Sequence, residues 1–83
     1  MSTADLRDAF NSAAVPKGLR CDKVLLMYCD EYGHHGEGRR DHQLVVFHCT
    51  DGREFTTIVK PGASVNVAAV LCGQKAVEDG KNN

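Results

Sequence analysis

Apolar and polar positions recur along the chain with more than one rhythm, and each rhythm predicts an element. Between Ser2 and Ala14, Leu6, Ala9, Phe10 and Ala13 fall on one helical face, with Asp5, Arg7, Asp8 and Asn11 opposite. Ser2 is placed to cap this helix, and Asp5 and Asp8 put negative charge where the helix dipole favours it. The stripe is narrow, so the helix is expected to lie against a sheet. Val15-Pro16-Lys17-Gly18 ends it, because proline cannot continue the hydrogen-bond ladder and glycine supplies a turn.

In the next segment, Asp22 to Tyr32, Val24 to Cys29 are six apolar residues without alternation. Such a run predicts a strand covered on both faces, or one central in its sheet. A short helix fits the pattern too, but the tyrosines and flanking breakers favour the strand. Gly33 to His42, GHHGEGRRDH, reads as a surface loop, since three glycines in six residues deny it regular structure. Connections of this length carry function more often than short ones do.

Gln43 to Lys60, QLVVFHCTDGREFTTIVK, holds two β-rich runs joined at Asp51-Gly52 and predicts a hairpin. A two-residue turn would pair Thr50 with Arg53. A three-residue turn with Gly52 left-handed pairs Cys49 with Arg53 instead. The second register gathers Val45, Phe47, Phe55 and Val59 on one face and sets His48 opposite Glu54, so it is the one expected. Leu44, Val46 and Ile58 then lie on the other face, which a helix must cover or which serves as a contact surface. Pro61-Gly62 breaks the strand. After Ser64, the run from Val65 to Asp79 predicts a second helix, with Val67, Val70, Leu71 and Val77 along one side and a bend near Gly73. The order αβββα describes one small α+β domain over 1–83, ordered from about 3 to 79 with a polar tail at 80–83.

Composition narrows the function classes. A chain of 83 residues supports a single small core. The net charge of −1 leaves no whole-chain basic field of the kind that drives non-specific nucleic-acid binding, although Arg39-Arg40 is a local basic pair. The first fifteen residues lack the apolar run of a secretory signal, and no stretch approaches the roughly 20 apolar residues of a membrane span. A cytoplasmic location, in a cell or an infected host, is therefore expected, with Cys21, Cys29, Cys49 and Cys72 as reduced thiols.

Antiparallel pairing beside the loop would draw its ends together, making Cys29, His34, His35 and His42 a candidate zinc set. No C-x-x-C or H-x-x-x-H pair is present, however, and His48 and Cys49 point to opposite faces of a strand. Surface histidines and part-buried cysteines, with no cofactor, are the expectation; a zinc-stabilised domain is the second alternative. Gly33, Gly36 and Gly38 with Arg39-Arg40 have the parts of an anion nest and guanidinium clamp, without the strand–loop–helix setting of phosphate motifs. A cysteine, a histidine and Asp41 can be drawn as a triad, but so short a chain has few walls for a deep pocket.

Asp41-His42-Gln43, followed by His48, Asp51-Gly52-Arg53 and Thr57, resembles the HicA-type toxins, and the element order resembles a double-stranded-RNA-binding domain. The match covers about a quarter of the chain. HicA-type toxins share that fold and cleave messenger RNA with a strand histidine. The resemblance thus implies an RNA-directed toxin in which His42 is catalytic and Arg39 and Arg40 assist. The chain departs from the pattern at Arg40-Asp41, where the family has glycine-serine. It departs again at Ala63-Ser64-Val65-Asn66, where RNA-binding domains carry a basic cluster.

The near-neutral charge and missing catalytic signature point first to a non-catalytic protein-binding module, such as a phage- or mobile-element-borne inhibitor of a host protein. Its expected contact residues are Asp30, Glu31, His34, His35, Glu37, Arg39 and Arg40. Homodimerisation through a free strand edge is compatible with this.

Overall fold

Helix α1, Thr3–Ala14, starts where Ser2 leaves the helical backbone and its hydroxyl accepts the Asp5 amide at 3.1 Å. The structure, a computed structural model, describes residues 2–15 and 18–72. Along α1 the buried residues are Leu6, Phe10 and Ala14, while Ala9 and Ala13 of the expected stripe are exposed. The helix is rolled toward Asn11, which was expected on the polar side. The Asn11 amide donates to the Cys21 carbonyl at 3.0 Å and accepts the Cys21 N–H at 2.7 Å. Alanine offers too little apolar surface to resist that pull.

Three strands form one antiparallel sheet in the order β1 (Cys21–Cys29), β2 (His42–Cys49) and β3 (Glu54–Val59). The hairpin takes the three-residue turn. Phe47 pairs with Phe55 and His48 with Glu54, and the Cys49 N–H donates to Arg53 O at 2.9 Å. Gly52 sits at φ 93°, a backbone conformation that a side chain would strain. Arg53 returns to the turn, its Nε 2.7 Å from Asp51 Oδ2.

Strand β1 differs from expectation in its place. It is an edge strand rather than a central one, and Leu25 and Tyr28 are 40% and 43% exposed. The apolar run reflects two apolar faces on one strand, a pattern that a central position would also give.

Both helices lie on one side of the sheet, here the inner face. Phe10 stacks on Phe47 with ring centroids 4.9 Å apart and tilts against Phe55 at 5.5 Å. Val24, Val45, Cys49 and Val59 complete the inner layer, with Leu6, Val67 and Val70 from the helices. After β3, Lys60 to Ala63 make a turn closed by Ala63 N–H to Lys60 O at 2.9 Å, with Gly62 at φ 84°. Helix α2, Val67–Leu71, begins later than expected because Asn66 caps it, accepting the Ala69 amide at 3.1 Å. Val67 and Val70 face the core as expected. The rest of the expected helix, including Gly73, Val77 and the tail, lies outside the described residues. Among the described residues, no helix is long and apolar enough to cross a membrane.

Candidate functional site

Side chains alternate across a strand, so the residues between the inner positions point to the outer face. There β1 contributes Leu25, Met27 and Cys29, β2 His42, Leu44, Val46 and His48, and β3 Glu54, Thr56 and Ile58. Among the described residues neither helix covers this face, since both pack on the inner core. It divides into two ends.

At one end lie Cys29 and His42, which are register partners, followed by Met27, Leu44 and Ile58. The β1–β2 loop, 30–41, folds back over this end. Gly33, at φ 86°, passes so close to Ile58 that a Cβ there would stand 3.0 Å from Ile58 Cδ1. Cys29 is fully buried, and burial pushes its thiol pKa up, helped by the charges of Asp30 and Asp41.

Asp30 organises the loop. Its Oδ1 accepts the amides of Tyr32 at 2.9 Å and His34 at 3.0 Å, while its own N–H donates to His34 O at 2.9 Å. Its Oδ2 lies 3.8 Å from His34 Nδ1 and 4.0 Å from Arg39 Nε. Partial desolvation works to raise its pKa. The His34 and Tyr32 amides, with the nearby His34 and Arg39, outweigh this and hold it below the usual carboxylate value. Of the expected contact residues, Asp30 is thus turned inward to hold the loop. Glu31, His34, His35, Glu37, Arg39 and Arg40 are exposed.

The two arginines do not converge on a clamp. Arg39 lies beside Asp30, and Arg40 stacks over the Tyr28 ring with its guanidinium carbon 4.3 Å from the centroid. The candidate zinc set is divided as well. Cys29 and His42 are neighbours, but no group of three His, Cys, Asp or Glu residues among the described ones is arranged to hold a metal ion. The His34 side chain is 71% exposed on the loop surface, that of His42 only 16%. His42 Nδ1 lies 3.5 Å from Asp41 Oδ2 but is buried without making a hydrogen bond.

At the other end of the outer face, His48 Nδ1 lies 3.2 Å from Glu54 Oε2, and its Nε2 is buried without a partner. Leu25 stands beside Val46 across the ladder and is the most exposed leucine of the sheet. Leu25 and Met27 were absent from the expected contact set. Their signal was the same unalternated apolar run that suggested a central strand.

A shallow cleft on the inner side is lined by Leu6, Leu26, Gln43, Val45 and Val59 with the Gly62–Val65 segment. Its lining holds no ionisable side chain, so the Ser64 hydroxyl there has no acid or base beside it among the lining residues. Comparison of the chain with protein-family models, curated proteins and solved structures finds no match.

Proposed function

We propose that the chain is a non-catalytic protein-binding module, an inhibitor or adaptor that acts by occupying a partner's surface. Its contact surface is the outer face of the sheet around Leu25 and Met27, with the β1–β2 loop as a charged rim. One observation carries this reading: among the described residues an apolar sheet face has no helix over it, while α1 and α2 share the other side. An apolar centre with Lys23 and Glu54 at one end, and the exposed Glu31, Glu37 and Arg39 in the β1–β2 loop, has the make-up of a protein interface, with charge kept to the rim. The partner that fits is a protein with an apolar ridge and mixed charge around it.

Leu25→Glu tests the surface. Leu25 is 40% exposed, so this change should leave the melting temperature within a few degrees of the wild type. Binding of the protein partner captured by the wild-type chain should weaken by about tenfold or more, measured by calorimetry with both proteins purified. Unchanged affinity would remove the outer face from the interface. RNA in the captured material, together with growth arrest relieved by His42→Ala, would replace this proposal with an RNA-directed activity.

A further inference from the structure

Cys21 and Cys49 face each other across the β1–β2 ladder, at the end remote from the loop. The hydrogen bonds fix what kind of pair they form. Thr50 N–H donates to the Arg20 carbonyl at 2.9 Å, so this ladder bond lies one residue outside the pair. Both backbone groups of Cys21 turn the other way, to the Asn11 amide at 2.7 and 3.0 Å. Cys21 and Cys49 are therefore a non-hydrogen-bonded antiparallel pair. In such pairs the Cα atoms stand about 4.5 Å apart and the side chains come closest on a shared face. A disulfide spans Cα separations of about 4.4 to 6.8 Å, so a bridge fits the pairing of the closed strands.

We propose that Cys21 and Cys49 form a redox modification site, closing to a cross-strand disulfide by exchange with a small-molecule disulfide of the glutathione class. Both are free thiols in the inner core, 3% and 7% exposed. The Cys21 thiol donates to the Lys23 carbonyl at 3.3 Å, a weak bond that closure gives up. Neither of the other cysteines has such a partner. Cys29 faces the outer side opposite His42, and Cys72 caps α2 at the surface.

The chemistry balances in two exchanges. One cysteine, as thiolate, attacks a sulfur of the small disulfide, forming a mixed disulfide and expelling one small thiolate. The second cysteine, as thiolate, attacks the protein sulfur of that mixed disulfide and expels the other. Two protein thiols lose two electrons and two protons, and one small disulfide becomes two thiols.

Burial raises the pKa of both thiols, and for Cys49 the charge of a neighbouring Cys21 thiolate adds to the rise. Closure is accordingly slow at neutral pH, faster in alkali, and dependent on opening of the strand end. The register shift between Cys21 and Lys23 places an irregularity in the ladder at that point. The site is on the inner face at the far end from the loop, so it stands or falls independently of the proposed contact surface.

The test is to incubate the reduced full chain with oxidised glutathione, alkylate remaining thiols, digest with trypsin and map the peptides. The expected product joins Cys21–Lys23 to Asp41–Arg53, forms faster at higher pH and is reversed by dithiothreitol. The oxidised chain should also melt about 10 °C or more above the reduced one, because the bridge closes a long loop of the unfolded chain. Alkylation of both cysteines, or links through Cys29 or Cys72 in their place, would overturn the proposal. So would a Cys21–Cys49 link that forms only after the chain is unfolded in denaturant.

Discussion

Phe10 and Asn11 are neighbours on one helix, yet they hold it in different ways. Phe10 is completely buried between the Phe47 and Phe55 rings, so Phe10→Ala removes a large apolar side chain and leaves a cavity. Urea denaturation should show a loss of about 3–5 kcal/mol, which threatens the fold of so small a domain. Asn11→Ala instead strands the N–H and carbonyl of Cys21, and should cost about 1–3 kcal/mol in the same measurement. The first residue was legible in the sequence through its apolar spacing. The role of the second was not, because a polar residue that bonds backbone ten positions on leaves no periodic trace.

At the scale of elements, the hairpin was readable because its turn has a local chemistry: Asp51-Gly52 sets the loop, and the loop sets the register of six residue pairs. The place of β1 was not, since an apolar run says that both faces are apolar without saying which neighbours the strand has. The fold-back of the β1–β2 loop was equally hidden. Gly33 marks it only by lacking a side chain where Ile58 stands close. Substitutions separate the two demands made on the loop glycines. Gly38→Ala meets only backbone strain, at φ 79° with nothing within 4 Å, and should cost about 1–2 kcal/mol. Gly33→Ala adds a clash with Ile58 Cδ1 to similar strain, and should be the more destabilising of the two. Ile58→Val, which removes that methyl group, should recover part of the difference in a double-mutant cycle of thermal stabilities.

For the whole molecule, the shifted groups predict a stability profile that falls on both sides of neutrality. Asp51, held below its ordinary value by the side-chain and backbone hydrogen bonds of Arg53, and Asp30 within its loop keep their charge in the fold. Their contributions are fully present above about the ordinary carboxylate value of 3.8, and are lost as pH falls below it through the folded values. Burial raises the pKa of Cys21, Cys29 and Cys49, so their contribution is present below the ordinary thiol value of 9.0 and lost as pH rises beyond it. Melting temperatures measured across pH should decline at both extremes. Asp51→Asn should flatten the acid limb, and Cys29→Ala the alkaline one.

The Asn11 side chain presents to Cys21 the same donor and acceptor that the peptide group of an arriving strand would present. An edge strand with free backbone groups is a template on which further chains add and fibrils grow. At the start of β1 that template is already occupied, by a helix and not by another sheet. The amide that tilts α1 onto the core thus also acts as a dummy strand, protecting one end of the edge from polymerisation.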